Sequence, residues 1–134
     1  MKYLGIDWGA KRVGVAISDE LGMIATPLET VETKNALSRI QEIAEREAVE
    51  EIVIGDPGKN SSIHQEVQEF VGQLSITLFL PVHMQNESFS SVFADQYRDY
   101  KKPTARLTKK DTTKKKDESA AAIILQRYLE RSKE

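Results

Sequence analysis

Along the first eighteen residues, Leu4 and Ile6 alternate with Lys2, Tyr3 and Gly5, and the pattern stops at Asp7. A second apolar run fills residues 13–17, after Gly9, Lys11 and Arg12. Two strand-like runs joined by a short glycine-containing loop predict a β-hairpin. Asp7 stands at the mouth of its first strand. Gly9 carries no side chain there, which would let a bulky ligand approach the backbone. Residues 23–28 predict a third strand, ended by Pro27 in the manner of an edge strand.

The period then changes. Ala36, Leu37, Ile40, Ile43 and Ala44 recur at spacings of three and four, predicting a helix over 34–47 with Thr33 or Asn35 as its cap. Residues 52–54 are wholly apolar, as in a parallel strand buried on both faces. Residues 55–58 form a loop at that strand's carboxyl end, where open α/β sheets bind ligands, so this loop is expected to face the same cleft as Asp7. Asn60, Ser61 or Ser62 starts a helix with the stripe Ile63, Val67, Phe70, Val71 and Leu74. After Pro81 a last strand covers 82–84, and a further helix covers 91–100 with Val92, Phe93 and Tyr97 inward. Pro103 breaks any helix. Asp117 or its neighbour caps the final one, over 118–129, which buries Ala121, Ile124, Leu125 and Tyr128. The pattern describes one α/β domain over 1–134, a mixed sheet of a three-strand meander plus parallel strands, flanked by helices.

Composition narrows the class. A chain of 134 residues is the size of one ordinary domain, and 40% hydrophobic with 30% charged residues is that of a soluble globular protein. There is no cysteine, hence no disulfide and no thiolate metal site, which points to a reducing cytoplasm. No apolar run approaches the ~20 residues of a membrane helix, and the N-terminus lacks a signal pattern.

Charge is distributed unevenly. Residues 101–116 hold eight Lys or Arg and one acid, Asp111, whereas the other residues hold 11 basic and 20 acidic side chains. A basic segment on an acidic body suggests a polyanionic partner that meets the segment first. A solvated, flexible loop is the plainer reading. The candidate nucleic-acid contacts are Lys109, Lys110, Lys114, Lys115 and Lys116, which directly precede Asp117, together with Lys11 and Arg12 in the hairpin loop.

Three acids stand at comparable element ends: Asp7 on the first strand, Glu87 just past the last strand, and Asp117 at the final helix. If the first and fourth strands are neighbours, Asp7 and Glu87 share one edge of the cleft and the helix from Asp117 can close over them. Clustered carboxylates raise one another's pKa unless a cation intervenes. Oxygen-only ligands with open positions suit Mg²⁺ or Mn²⁺. Two such ions can activate a water and stabilise a leaving oxygen in phosphodiester cleavage. On spacing alone, three unrelated strand-end or cap acids on a wet surface are the slightly better reading. His64 and His83 fit surface or core roles, Ser18 and residues 88–91 have no histidine at a motif spacing, and Trp8 can stack on a base or pack on the sheet.

Gly5-Ile6-Asp7-Trp8-Gly9, with Arg12, Gly14, Val15, Ala16 and Ser18-Asp19, resembles the opening signature of the YqgF family. The likeness continues through Ala25-Thr26-Pro27-Leu28, Ile52-Val53-Ile54-Gly55, Leu80-Pro81-Val82 and Asp117 with Ala121, Ala122, Ile124, Leu125 and Gln126. That family comprises Holliday junction resolvase-like proteins, also described as pre-16S ribosomal RNA nucleases, of the ribonuclease H-like fold. The resemblance implies a Mg²⁺- or Mn²⁺-dependent nuclease with Asp7, Glu87 and Asp117 as its acidic triad, acting on precursor ribosomal RNA or branched DNA. The family usually has Asp-Glu-Arg where this chain has Asn86-Glu87-Ser88, and Gly-Leu-Pro with an apolar residue where residues 55–58 stand. Loss of an arginine near a scissile phosphate removes a bidentate anchor. A catalytically weakened nucleic-acid-binding module is therefore the alternative. An actin-like ATP-binding protein is a third, disfavoured because two such domains must clamp the nucleotide and this chain provides one.

Overall fold

The computed structural model describes residues 1–86 and 109–131, with the side chains of 109–119 outside that description. Strands β1 (Tyr3–Asp7), β2 (Arg12–Ser18) and β3 (Ala25–Glu32) form an antiparallel meander. A 3₁₀ turn (Thr33–Asn35) leads into α1 (Ala36–Arg46), followed by β4 (Glu51–Asp56), α2 (His64–Leu78), β5 (Val82–Asn86) and α3 (Lys109–Arg131). The sheet order is β3-β2-β1-β4-β5, and β4 runs parallel to both β1 and β5. The mixed α/β sheet read from the pattern is therefore the observed one. The helix expected over 91–100 lies outside the described residues.

Alternation along each strand divides the core into two layers. Leu4, Ile6, Val13, Val15, Ile52 and Ile54 pack with Ile40 and Ile43 of α1 and Val67, Phe70 and Leu74 of α2. On the opposite face Ala16 and Val53 pack with Ala121, Ile124, Leu125 and Leu129 of α3. Strand β4 is thus apolar on both sides because both sides are covered. Trp8 is half-buried and packs against the first layer.

Two expectations about β3 and α3 need correction. Strand β3 continues four residues beyond Leu28, to Glu32. Pro27 does not end it, because β3 is an edge strand and its register with β2 shifts between Val15 and Ala16, so a residue lacking an N–H is tolerated there. Helix α3 begins at Lys109, so Asp117 is its ninth residue and not its cap, and Lys109–Lys116 are helical backbone and not a loop. Lysine is a good helix former, and residues 104–134 contain neither glycine nor proline.

Polar contacts fix the helices on the sheet. Arg39 donates from Nε and Nη2 to both carboxylate oxygens of Glu29, at 2.7 and 2.8 Å, tying α1 to β3. These hydrogen bonds hold the Glu29 carboxyl below the usual carboxylate range. The pair therefore adds stability above that range and gives it up as pH falls through the lowered value. Gln126 accepts from the Ala25 N–H at 2.8 Å and donates to the Met23 carbonyl at 3.0 Å, clipping α3 to the start of β3.

Helix α3 passes close over Gly5. A Cβ there would stand 2.7 Å from Leu125 Cβ and 3.1 Å from the Ala121 carbonyl. Gly5→Ala is expected to destabilise the protein by about 1–3 kcal/mol through overpacking, read as a lower urea midpoint at unchanged m-value. An unchanged midpoint would mean that α3 does not dock there.

Candidate functional site

Parallel pairing gathers strand ends. Ile6 is opposite Ile54, and Asp56 is opposite Asn86, so Asp7, Asp56 and Asn86 all stand at one end of the sheet. The order reverses at β1, which has an antiparallel neighbour on one side and a parallel one on the other. A ligand crevice is expected at that switch point, outside the carboxyl ends of the strands.

Face matters as much as end. Leu4 and Ile6 point into the α1–α2 layer, so Tyr3, Gly5 and Asp7 belong to the face that α3 covers. Tyr128 lies against Tyr3, with ring centroids 5.9 Å apart, while Ala121 and Leu125 approach Gly5. Helix α3 therefore runs antiparallel to β1. Asp117 precedes Ala121 by four residues, or about 6 Å of helix axis, in the direction of Asp7.

Asp56 behaves differently. It follows Ile54 by two residues, which assigns it to the α1–α2 face, and its Oδ1 accepts from the Gly58 N–H at 3.0 Å. Residues 55 and 56, expected in a loop, are the last two of β4; that strand end shares the end of the sheet with Asp7, but the Asp56 carboxylate caps its own turn. Glu87 lies outside the described residues, as does the side chain of Asp117. Among the described residues no three acids or histidines are grouped to hold a metal ion. Donor chemistry at this end fits a hard cation, since Asp7 offers oxygen and the chain has no thiol.

The hairpin after Asp7 is clamped from outside. Thr33 Oγ1 donates to the Gly9 carbonyl at 2.6 Å, and the Thr33 N–H donates to the Lys11 carbonyl at 3.0 Å. A Cβ on Gly9 would meet the Arg12 carbonyl at 2.6 Å. Glycine is thus required there by the closure of the turn, and the expected opening for a bulky ligand is not its reason. Lys11 and Arg12 are exposed around this loop. Thr33 was read only as a helix cap; its clamp depends on a tertiary contact across 24 residues that no local pattern reveals.

The remaining candidates have structural roles. Ser18 Oγ accepts from the Tyr3 N–H at 2.8 Å and donates to the Asp19 carbonyl at 2.9 Å. His83 contacts Glu51 and stacks on Tyr128, with centroids 5.2 Å apart, on the half of the sheet away from Asp7. Burial and the neighbouring Glu51 carboxylate push the Tyr128 hydroxyl upward from its ordinary pKa. His64 is half-buried at the start of α2, with Nδ1 enclosed and without a partner among the described residues.

Comparison with known proteins bears on these features. A family model described as "RuvX: Holliday junction resolvase" matches residues 1–131. This chain belongs to that family. A protein of Phocaeicola vulgatus is 40% identical, covering 98% of this chain and 97% of its own length. One of Maridesulfovibrio salexigens is 38% identical, covering 98% and 100%. Both bear the name "Putative pre-16S rRNA nuclease". Among solved structures, T. thermophilus RuvC in complex with a Holliday junction superposes with a TM-score of 0.62 at 18% identity, covering 99% of this chain and 96% of RuvC. The fowlpox virus resolvase bound to junction DNA gives 0.61 at 18% identity, with full coverage of both chains. These structural likenesses establish the resolvase fold, as the resemblance of the opening signature implied.

Thr33→Val keeps the shape of the side chain and removes its hydroxyl, leaving the Gly9 carbonyl without this donor. The expected cost is about 1 kcal/mol of stability, with faster amide exchange confined to residues 8–12 in hydrogen-exchange measurements. Unchanged exchange in that loop would show that the clamp does not hold it.

Proposed function

We propose that this chain is a divalent-metal-dependent nuclease that cuts phosphodiester bonds in structured nucleic acid, with precursor 16S ribosomal RNA as the first candidate substrate and branched DNA as the second. The RuvX family to which the chain belongs carries the general activity. RNA is placed first because relatives at 38–40% identity bear the RNA nuclease name, whereas the junction-bound neighbours share only the fold. Such substrates place the protein in the cytoplasm.

The single observation that carries the proposal is Asp7 at the switch point of the sheet, on the face crossed by α3. Asp7, Glu87 and Asp117 are the proposed ligands and catalytic acids. Supporting this, His83 and Gln85 share the α3 face of β5, since His83 stacks on Tyr128 and Gln85 accepts from Arg131. Glu87 follows β5 directly in the sequence, and the carboxyl end of β5 lies at the Asp7 end of the sheet. These carboxylates would hold Mg²⁺ or Mn²⁺, which when bound activates a water and stabilises the leaving oxygen. The protein's own part is positional. Strand pairing on both sides of β1 fixes the Asp7 backbone, so its carboxylate needs little reorganisation. Lys109, Lys110, Lys114, Lys115 and Lys116, on the N-terminal turns of α3, and Lys11 and Arg12, on the hairpin, neutralise the polyanion on either side of that acid.

Asn86 and Ser88 favour a second reading, a binding module with weakened catalysis, because the usual acid and arginine beside Glu87 are replaced. One experiment separates the two. Labelled precursor rRNA and a labelled four-way DNA junction are incubated with wild type or Asp7→Asn, in Mn²⁺ or in EDTA. The nuclease reading expects cleavage by wild type in Mn²⁺ alone, and a loss in Asp7→Asn of about 100-fold or more, the equivalent of several kcal/mol of transition-state stabilisation. Mn²⁺ should also raise the melting temperature of wild type by mass action, and that of Asp7→Asn far less. Binding without cleavage by wild type would establish the weakened module instead.

A further inference from the structure

A cavity of about 600 Å³ opens between the hairpin tip and the 3₁₀ turn, lined by Ala10, Lys11, Arg12, Glu32, Thr33 and Lys34. Three of these six residues are exposed cations and one is an acid. Lys11 and Arg12 have no ion pair among the described residues. Lys34 reaches only Glu32, at 3.7 Å with both side chains well exposed, a pairing of little strength in water.

The position of this groove is set by strand register. Asp7 pairs with Gly14, and Arg12 lies two residues further along β2, on the same face as Gly14 and Asp7. Two residues of strand and one strand spacing place the Arg12 Cα about 8 Å from that of Asp7. Arg12 in turn pairs with Glu32, which brings Lys34 to the same rim. The Thr33 clamp described above makes the floor rigid, because it joins the hairpin carbonyls to the start of the 3₁₀ turn.

We propose that this groove is a phosphate subsite that grips the sugar–phosphate backbone of the substrate close to the bond cut beside Asp7. The inference rests on the nuclease reading and adds to it Lys34 as a contact and Glu32 as its opponent. Arg12 supplies a planar fork suited to two phosphate oxygens, and Lys34 a point charge. Glu32 pairs only weakly with Lys34, and its carboxylate on the same rim repels an incoming phosphate. It therefore sets the threshold for binding.

Cavity shape alone would also admit a small anion. The open, cation-rimmed groove favours a chain that passes through. Its chemistry is that of any phosphodiester backbone, RNA or DNA.

The test measures binding by the full chain in EDTA, so that cleavage plays no part, to a labelled 30-base-pair duplex over a series of salt concentrations. The proteins are wild type, Arg12→Gln/Lys34→Gln, Glu32→Gln and Glu45→Gln. Glu45 is an exposed acid in the last turns of α1, remote from the groove. Loss of two phosphate contacts should flatten the log–log salt slope by about 1.8. Glu32→Gln should bind more tightly than wild type, and Glu45→Gln should match wild type. A double variant with the slope of wild type would overturn the groove while leaving the nuclease reading intact. Glu32→Gln and Glu45→Gln moving equally would overturn it too, since net charge would then account for the effect. Failure of wild type to bind the duplex, the precursor rRNA or the junction would remove both readings. Binding with the expected slope change but no cleavage in Mn²⁺ would uphold the groove and remove catalysis alone.

Discussion

The parallel pairing of β1 with β4 is the constraint from which the arrangement of the site follows. It is a contact between residues 48 apart in sequence, and it forms because the chain from β3 crosses through α1 and returns on the side of β1 opposite to β2. With β4 in place, β5 adds parallel beside it, and three strand ends are delivered to one edge. Were β4 antiparallel to β1, Asp7 and the residues after β5 would lie at opposite ends of the sheet. The apolar run Ile52-Val53-Ile54 makes this arrangement stable, because it is covered on both faces. Full burial of side chains of this size contributes about 1.5–3 kcal/mol each.

Helix α3 adds the second half of the geometry. Its small residue Ala121 and the bare Cα of Gly5 let it lie close across β1, and its direction carries Asp117 toward the end of Asp7. The two layers divide the labour. Helices α1 and α2 complete a large apolar core, whereas the α3 face carries smaller residues near β1 and the acid at its end. Ionic and polar clips, Arg39 with Glu29 and Gln126 with the Met23–Ala25 backbone, fix rotation and register more than they add stability.

Much of this was legible in the sequence because hydrophobic period speaks directly to local structure. The hairpin, the buried strand at 52–54, the stripes Ile40–Ile43 and Val67–Phe70–Leu74, and Asp7 at a strand end all follow from it. What was not legible depended on partners distant in sequence. Pro27 reads as a stop, yet β3 runs through it, because the bulge against β2 removes the need for its missing N–H. The lysine run before Asp117 reads as a solvated loop, yet it is helical backbone, since charge density masks a good helix propensity that nothing interrupts. Gly9 reads as space for a ligand, yet the Arg12 carbonyl occupies the place of its missing side chain. Lys34 reads as an ordinary first-turn residue; only the closing of the 3₁₀ turn on the hairpin sets it beside Arg12.

In the proposed site, the carboxyl ends of β1 and β5 and the helix bearing Asp117 share bound divalent metal. Paramagnetic broadening of backbone amide resonances by substoichiometric Mn²⁺ tests it most directly, since broadening reports distance from the bound ion. The amides of Asp7, Trp8, Asn86 and Asp117 are expected to broaden first, while those of Tyr3, Glu51 and Val82, at the other end of the same strands, stay sharp. Broadening centred on Glu51 and His83, or spread evenly over the acidic surface, would contradict it.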